Sequence, residues 1–191
     1  MGCAEKQLRN DVMKIVDFLK TDEIFLDVAE GSKKEVLEKV ASIGAPKTGI
    51  ESAVIFDALV ERERLGTTGI GRGVAIPHAR LAHLDDLFCT FLRVSPAVDF
   101  EAIDGNPVDL IFVLLVPEES GADHLKALAR ISKLLRNEEV CAKLREVKTS
   151  AEALKVIEKA DAQAVAAEIK ESLNLVSVLM EQIDSVYDFV S

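Results

Sequence analysis

The stretch TTGIGRGVAIPHAR, residues 67–80, is the segment around which the rest of this chain is organised. Its three glycines stand at alternate positions, so the backbone can approach a ligand closely. Pro77 has a fixed φ and stiffens the entry to His78. A histidine held on a rigid proline step, beside open amides and threonine hydroxyls, suits an imidazole that takes up an anion. The same letters also fit a glycine-rich turn before a strand with a partly buried histidine, and a short motif does not separate the two interpretations.

The charge of the chain is acidic overall but nearly balanced around this stretch. The 191 residues include 23 Lys and Arg against 33 Asp and Glu, a net charge of −10. A nucleic-acid backbone requires a basic surface, so we expect no nucleic-acid partner. Residues 61–93, in contrast, hold five arginines and four acids, and an anion would be tolerated there. With 49% hydrophobic residues, the chain can bury the core of one domain plus extensions.

Cysteine usage and hydropathy indicate where the protein works. The three cysteines, Cys3, Cys89 and Cys141, are widely spaced and form no CxxC pair, so we predict neither a disulfide framework nor a zinc site, and no other cofactor. No apolar run reaches transmembrane length, and no signal-peptide core precedes Cys3. We therefore expect a soluble, cytoplasmic protein without direct membrane insertion.

Hydrophobic periodicity predicts strands and helices up to about residue 161. Strands are expected at 24–28, 87–94 and 108–116. The last of these, VDLIFVLLV, is almost wholly apolar and is therefore predicted to be central in the sheet. The predicted helices span 7–20, 32–43, 49–65, 123–135, 138–145 and 150–159.

Capping residues set the predicted limits of two of these helices. Ser32 precedes Glu35 by three residues, the spacing of a capping box that opens a helix. Gly44 and Pro46 are predicted to end that helix. Ser150 is predicted to be the N-cap of the helix at 150–159.

The tail from about residue 162 has a pattern of its own. Apolar residues recur at spacings of 4,3,4,3,4, namely Ile169, Leu173, Val176, Met180, Ile183 and Tyr187. This pattern predicts a long amphipathic helix whose apolar face must be buried somewhere, either on its own domain or on a second copy as a homodimer. Both possibilities remain open. We divide the chain into an N-terminal helix (1–20), one domain (21–161) and this C-terminal helix (162–191).

Several common site motifs are absent from the chain. The glycines do not match GxGxxG, because Val74 stands where the third glycine would be. No P-loop, GxSxG elbow or HExxH sequence occurs. His78, His83 and His124 could surround a metal ion, but no cysteine or carboxylate pattern accompanies them, so no metal site is predicted.

The chemistry that remains is phosphoryl transfer through a histidine. A neutral imidazole nitrogen can attack phosphorus without prior deprotonation near neutral pH. The transferred group needs fixed hydrogen-bond donors and a cation, and we expect Arg62 to supply the cation. The predicted phosphate-binding donors are the hydroxyls and amides of Thr67, Thr68, Gly69, Gly71 and Gly73. Clustered carboxylates for magnesium are missing, which is consistent with a donor that is itself a phosphorylated protein side chain.

Four segments together resemble a known family far more specifically than any one of them. REx₃TTGIGRGVAIPHAR, SKKEVLEKV, VDFEAIDGNPVDLIFVLLVP and HLKALARISKLL are similar to segments of the phosphotransferase-system (PTS) enzyme IIA domains of the mannitol/fructose class, type 2, which includes nitrogen-regulatory members. The resemblance spans about residues 21–159. It implies an α/β fold with one domain, in which helices flank a mixed, mostly parallel sheet on both faces and the C-terminal helix is an extension.

The resemblance also implies roles for three residues. His78, at the I-P-H step, matches the phosphorylated histidine of the family, Arg62 matches its active-site arginine, and His124 matches its second histidine. Two positions depart mildly from the pattern: Ala79 stands where glycine is also usual, and Arg72 occupies a variable position.

Two functions follow from this resemblance. The first is a phosphocarrier that accepts a phosphoryl group from phospho-HPr on His78 and passes it to an enzyme IIB domain that feeds sugar uptake. The alternative is a nitrogen-type regulatory phosphoprotein that binds other proteins according to its phosphorylation state. The sequence alone does not identify a sugar.

Overall fold

The computed structural model describes residues 13–119 and 123–190, with the side chains of the last helix described to Ser177. A six-stranded sheet organises these residues. Its strands are β1 (Ile24–Val28), β2 (Gly69–Gly71), β3 (Val74–Ala75), β4 (His78–Leu81), β5 (Phe88–Val98) and β6 (Val108–Pro117). The helices are α1 (Ile15–Phe18), α2 (Lys33–Thr48), α3 (Ser52–Arg64), α4 (Asp123–Leu135), α5 (Glu138–Glu146) and α6 (Ser150–Val190).

Strand β6 lies in the middle of the sheet, as its apolar sequence predicts. β5 pairs with one edge of β6 in antiparallel orientation, while β3 and then β4 pair with its other edge in parallel. β1 extends the sheet in parallel beyond β5, and β2 closes it antiparallel to β3. The mixed, mostly parallel sheet expected from the family resemblance is therefore confirmed.

Alternate side chains of β6 enter two separate hydrophobic cores. Leu110, Phe112 and Leu114 lie in the core formed with α1, α4, α5 and α6. Ile111 and Val113 lie in the core formed with α2 and α3. A strand that is apolar on both faces requires cover on both faces, and the helices supply it. The predicted arrangement of helices on both sides of the sheet is confirmed.

The stretch 67–80 contributes three strands that the sequence did not predict, because strands of two to four residues are too short to show an alternating pattern. A side chain is disfavoured at two of its glycines, by a backbone contact at Gly69 and by the backbone conformation at Gly73. A Cβ on Gly69 would lie 2.8 Å from the Cα of Ala102, and a Cβ on Gly73 would lie 2.6 Å from Nη2 of Arg145. Gly73 also has φ +76°, which disfavours any side chain.

Helix α2 begins as predicted but ends later than predicted. The hydroxyl of Ser32 accepts a hydrogen bond from the Glu35 amide, which confirms the N-cap. Gly44 does not end the helix: it is a buried residue of the helix interior, where a Cβ would lie 3.2 Å from the side chain of Leu115. Pro46 does not end the helix either: it lies inside the last turn, where its ring removes one backbone hydrogen bond. The helix ends instead at Gly49, which is left-handed with φ 72°.

The C-terminal helix is longer than predicted. The segment expected at 150–159 and the tail expected from 162 form one continuous helix, α6, so no break marks the predicted domain boundary at 161. The N-cap is Thr149, whose hydroxyl accepts a hydrogen bond from the Glu152 amide, and not Ser150. The Ser150 hydroxyl donates to the carbonyl of Ile24 and so ties the start of α6 to the sheet.

The predicted helix at 7–20 is described only in part. Its described portion contains the single turn of α1, and residues 7–12 lie outside the described residues. Ile15 and Leu19 are fully buried, as their helical spacing suggests. Across the described ranges, no helix is both long enough and apolar enough to span a bilayer.

Candidate functional site

His78 is the first residue of β4 and is half-buried. Its Nδ1 atom lies 2.9 Å from the carbonyl oxygen of Ile76, two residues earlier. A carbonyl can only accept a hydrogen bond, so the proton of the neutral ring resides on Nδ1. The Nε2 atom therefore carries the lone pair, and the turn at Pro77 fixes this tautomer through the backbone.

Arg62, in the last turn of α3, is aimed at that lone pair. Its Nε donates to Nε2 of His78 at 3.0 Å, and its Nη1 donates to the carbonyl of Gly66 at 3.0 Å. The second bond anchors the guanidinium on the turn that leads into the stretch 67–80. Within the described part of the chain, no carboxylate forms an ion pair with Arg62, so its positive charge is left available for an anion.

The surroundings of His78 favour its neutral form. Burial lowers the pKa of His78 below its ordinary value, and the positive charge of Arg62 and the proximity of His124 lower the pKa further. The hydrogen bond to Ile76 and the charge of Glu63 act in the opposite direction but do not reverse the shift. The ring is therefore unprotonated, and nucleophilic at Nε2, near neutral pH.

A second histidine lies in the same pocket and is held by an arginine that the sequence did not single out. Nη2 of Arg80 lies 2.9 Å from Nε2 of His124, in the first turn of α4. Arginine stays protonated and can only donate, so the proton of a neutral His124 is on Nδ1. That Nδ1 is buried and has no hydrogen-bond partner among the described residues. The available signal was strand spacing, since Arg80 and His78 are two residues apart on one strand and share a face.

The pocket around these residues is open, has a volume of about 440 Å³ and is mostly apolar. Leu65 and Leu125 on its rim are 86% and 58% exposed. The residues that line it are Ala58, Glu61, Arg62, Leu65, His78, Ala79, Arg80, Val116, His124, Leu125 and Leu128. Such exposed apolar side chains around a charged centre are typical of a surface that receives another protein.

The threonines and glycines predicted to bind phosphate do not line this pocket. The Thr67 hydroxyl donates to the carbonyl of Phe100 and accepts from the Gly69 amide. The Thr68 amide and hydroxyl both donate to the carboxylate of Glu63. We therefore assign these groups to holding the stretch in place, because their donors are already occupied.

The other two glycines of the predicted set are engaged with neighbouring loops. Gly71 lies against the Asp104 carboxylate, and the Gly73 carbonyl accepts hydrogen bonds from the Asp109 and Leu110 amides.

Glu63, the acid of the R-E pair in the motif, supports the site, a role that the sequence did not indicate. Its side chain is only 7% exposed, and it forms an ion pair of 2.7 Å with Lys33 from α2. Together with the bonds from Thr68, this pair joins α2, α3 and the stretch 67–80 at one point. The adjacent Arg62 is thereby held at the edge of the pocket.

His83 takes no part in the pocket. It is exposed on the turn after β4, with φ 62°, so the three histidines of the hypothetical metal site are not brought together. Over the described ranges, no group of three histidine, cysteine or acidic side chains is arranged to hold a metal ion.

Comparison with known proteins shows that a family model matches most of this chain. The family model described as "Phosphoenolpyruvate-dependent sugar phosphotransferase system, EIIA 2" matches residues 17–160, three quarters of the chain. The match contains every residue of the pocket and ends within α6.

Individual relatives carry a more specific name. A nitrogen regulatory protein of Bradyrhizobium diazoefficiens is 47% identical over 133 residues, covering 70% of this chain and 87% of that protein. The nitrogen regulatory protein of Pseudomonas aeruginosa is 42% identical over 144 residues, covering 75% and 93%. Among solved structures, the nitrogen regulatory protein IIA-Ntr of Neisseria meningitidis superposes with a TM-score of 0.73 at 36% identity, covering 75% of this chain and 98% of that one.

Proposed function

We propose a function for this chain from its family: it belongs to the EIIA 2 family of the phosphoenolpyruvate-dependent sugar phosphotransferase system. In this proposal it is a phosphohistidine carrier, and His78 accepts the phosphoryl group from a phosphorylated HPr-type protein. The observation that carries the proposal is the contact between Nε2 of a neutral His78 and Nε of Arg62, an arginine with no carboxylate partner among the described residues.

In the transfer step, Nε2 of His78 is the nucleophile. The Nε2 lone pair attacks phosphorus, the bond from phosphorus to the donor side chain breaks, and its electron pair stays with the donor. The Nδ1–H of His78 remains bonded to the Ile76 carbonyl, which stabilises the positive charge that the ring acquires. Since Arg62 now occupies the Nε2 lone pair, its guanidinium must shift to the phosphoryl oxygens as the bond forms.

His124 supplies the second contact to the phosphoryl group in this proposal. Its buried Nδ1–H has no hydrogen-bond partner among the described residues, so it can donate to a phosphoryl oxygen. Arg80 positions it by occupying Nε2, and it also adds positive charge at the rim. The exposed apolar rim would then dock the donor protein and exclude water from the transfer.

The relatives favour the regulatory alternative over the sugar-transport reading that came first from the sequence. The relatives at 47% and 42% identity, and the solved structure at 36%, are all named nitrogen regulatory proteins. We therefore propose that phosphorylation of His78 controls binding to other proteins. Transfer onward to an enzyme IIB domain is the second candidate, since an open apolar rim would also fit that partner.

The test of the carrier function follows the phosphoryl group. The purified chain is mixed with a phosphorylated HPr-type protein carrying radioactive phosphate, and we expect a label that is lost in acid. His78→Ala should accept no label, while His83→Ala, which alters an exposed histidine outside the pocket, should be labelled normally. Normal labelling of His78→Ala would refute the assignment.

A second experiment separates regulation from sugar transport. The labelled protein is mixed with purified enzyme IIB domains of the fructose and mannitol systems. Rapid loss of label to a IIB domain would support the transport role. Retention of label, together with proteins from the same cells that bind only the phosphorylated or only the unphosphorylated form, would support regulation.

A further inference from the structure

The first half of α6 is fixed to the body of the protein. One row of its residues is buried at intervals of four, namely Ala153, Ile157, Asp161, Val165 and Ile169. Arg130 of α4 forms ion pairs with Asp161 at 3.2 Å and with Glu168 at 3.0 Å. Among the side chains that the structure describes, the buried row ends at Ile169, and residues 170–177 are exposed.

The next turns of α6, residues 170–177, carry apolar side chains that are exposed. Leu173 and Val176 follow Ile169 in the row and are 43% and 53% exposed, and the neighbouring Leu175 is 60% exposed. The helix runs on to Val190, so residues 170–190 extend for about 30 Å at 1.5 Å per residue. The exposed Leu173, Leu175 and Val176 form an apolar face that requires a partner.

The spacing of the row identifies the kind of partner. Beyond the buried Ile169, the residues Leu173, Val176, Met180, Ile183 and Tyr187 recur at alternating intervals of three and four, the spacing of the a and d positions of a coiled coil. Such a seam fits another helix with the same spacing. The charged residues beside it are mainly acidic, with Glu171, Glu181, Asp184 and Asp188 against Lys170, and this charge opposes binding to an anionic lipid surface.

We propose that residues 170–190 form an antiparallel coiled coil with the same residues of a second copy, giving a homodimer. In the register centred near residue 178, Leu173 lies at the level of Ile183 in the other copy, and Val176 lies at the level of Met180. That register also places Lys170 beside Asp184 of the other copy, two opposite charges at equivalent flanking positions.

A parallel dimer would lose this charge complementarity. It would collect Glu181, Asp184 and Asp188 of both copies at one end, with Lys170 at the other. The antiparallel arrangement also sets the two helix dipoles in opposite directions. The proposal does not depend on phosphate transfer, because residues 170–190 lie outside the family match and away from the pocket.

The first test is the mass of the full chain in solution, by light scattering at micromolar concentration. We expect a dimer for the natural chain and a monomer for Val176→Lys, which places a charge in the seam. Leu175→Lys is the matched control, because it introduces the same charge at a similarly exposed position beside the seam, and it should remain dimeric. A monomeric natural chain, or equal behaviour of the two variants, would overturn the proposal.

The second test addresses orientation. Lys170→Glu and Asp184→Lys should each weaken the dimer, and the double variant should regain it, because the two positions are too far apart on one helix to contact each other. Absence of rescue would exclude the antiparallel register.

Disulfide trapping checks the same register independently. In a Cys3→Ser background, a Leu173→Cys chain mixed with an Ile183→Cys chain should form a mixed disulfide on oxidation, while neither chain alone should cross-link efficiently. Self-cross-linking of either chain would indicate a parallel pair. A natural chain that is monomeric but whose residues 170–190 are protected from hydrogen exchange would assign the seam to a partner within the same chain and would also overturn the proposal.

Discussion

Two arginines on opposite faces of the sheet show how the same side chain serves different purposes. Arg62, in α3, contacts a neutral histidine and a carbonyl, and its charge meets no carboxylate among the described residues. Arg130, in α4, is only 8% exposed and meets two carboxylates, Asp161 and Glu168. The charge of Arg62 is available for an incoming anion, whereas the charge of Arg130 is paired with carboxylates that hold α6 on the body.

The largest expected effect is on stability at Arg130. Arg130→Met leaves Asp161 buried without its cation, and breaking a buried ion pair costs about 3–5 kcal/mol of the free energy of unfolding. The measurement is urea unfolding followed by circular dichroism. The double variant Arg130→Met/Asp161→Asn should recover most of the loss, because it removes both charges and keeps an acceptor for the Ile15 amide.

The Arg130 experiment also tests the comparison itself. Phosphate acceptance by the folded fraction of Arg130→Met should be unchanged, since Arg130 does not line the pocket. A loss of transfer without a loss of stability would show that the two arginines do not differ as we argue.

The next effect is on transfer at Arg62. Arg62→Ala should slow phosphate acceptance by about 10²–10³-fold, as expected for a lost charge-stabilising donor, with little change in Tm. Arg62→Lys should restore little of the rate. The guanidinium contacts His78 through Nε and Gly66 through Nη1 at the same time, and the single ammonium group of lysine does not reproduce this planar fork. Single-turnover labelling gives the rates, and a wild-type rate for either variant would remove Arg62 from the mechanism.

A smaller effect should follow from giving Arg62 the carboxylate that it lacks. Ala58 lies one helical turn before Arg62 and lines the same pocket, so Ala58→Glu places an acid at i,i+4. An exposed pair of this kind is worth up to about 1 kcal/mol, which corresponds to a slowing of about fivefold. Ala58→Gln, of the same size without the charge, is the control and should be slowed less. Equal rates for the two variants would show that the free charge of Arg62 is unimportant.

The smallest effect concerns the pKa of His78. Because that pKa is lowered, phosphate acceptance should stay constant as the pH falls to about 6.5, the ordinary value, and decline only below it. The same shift affects the free energy of unfolding. The contribution of His78 is constant above the pKa of an unfolded histidine and is lost as the pH falls from that value through the lowered pKa of the folded protein.

The dependence on Arg62 can be measured by NMR titration of the His78 ring. Arg62→Met should raise the pKa of His78, because it removes a positive charge that disfavours the imidazolium. Arg64→Met removes an exposed arginine that is paired with Glu61 and should leave the titration unchanged. A lower pKa in Arg62→Met would contradict the electrostatic account of the site.

Much of the fold was predictable from local pattern. The central position of β6 follows from its apolar run and the start of α2 from Ser32, because burial of apolar side chains and capping of helix ends both leave a local pattern in the sequence. The strands β2, β3 and β4 were not predictable in this way. β3 and β4 pair with an edge of β6, which is formed by residues far along the chain, and β2 pairs in turn with β3.

The candidate site, like the fold, was predictable only in part from the sequence. The sequence by itself determined the candidate nucleophile, its arginine and the second histidine, because a family motif preserves residue types at fixed spacing. Only the tertiary structure decided that the proton of His78 lies on Nδ1, that Arg80 holds His124, and that the loop threonines are occupied by Glu63 and Phe100. These facts depend on which polar atoms from distant segments meet within hydrogen-bonding distance, and neither periodicity nor composition records such meetings.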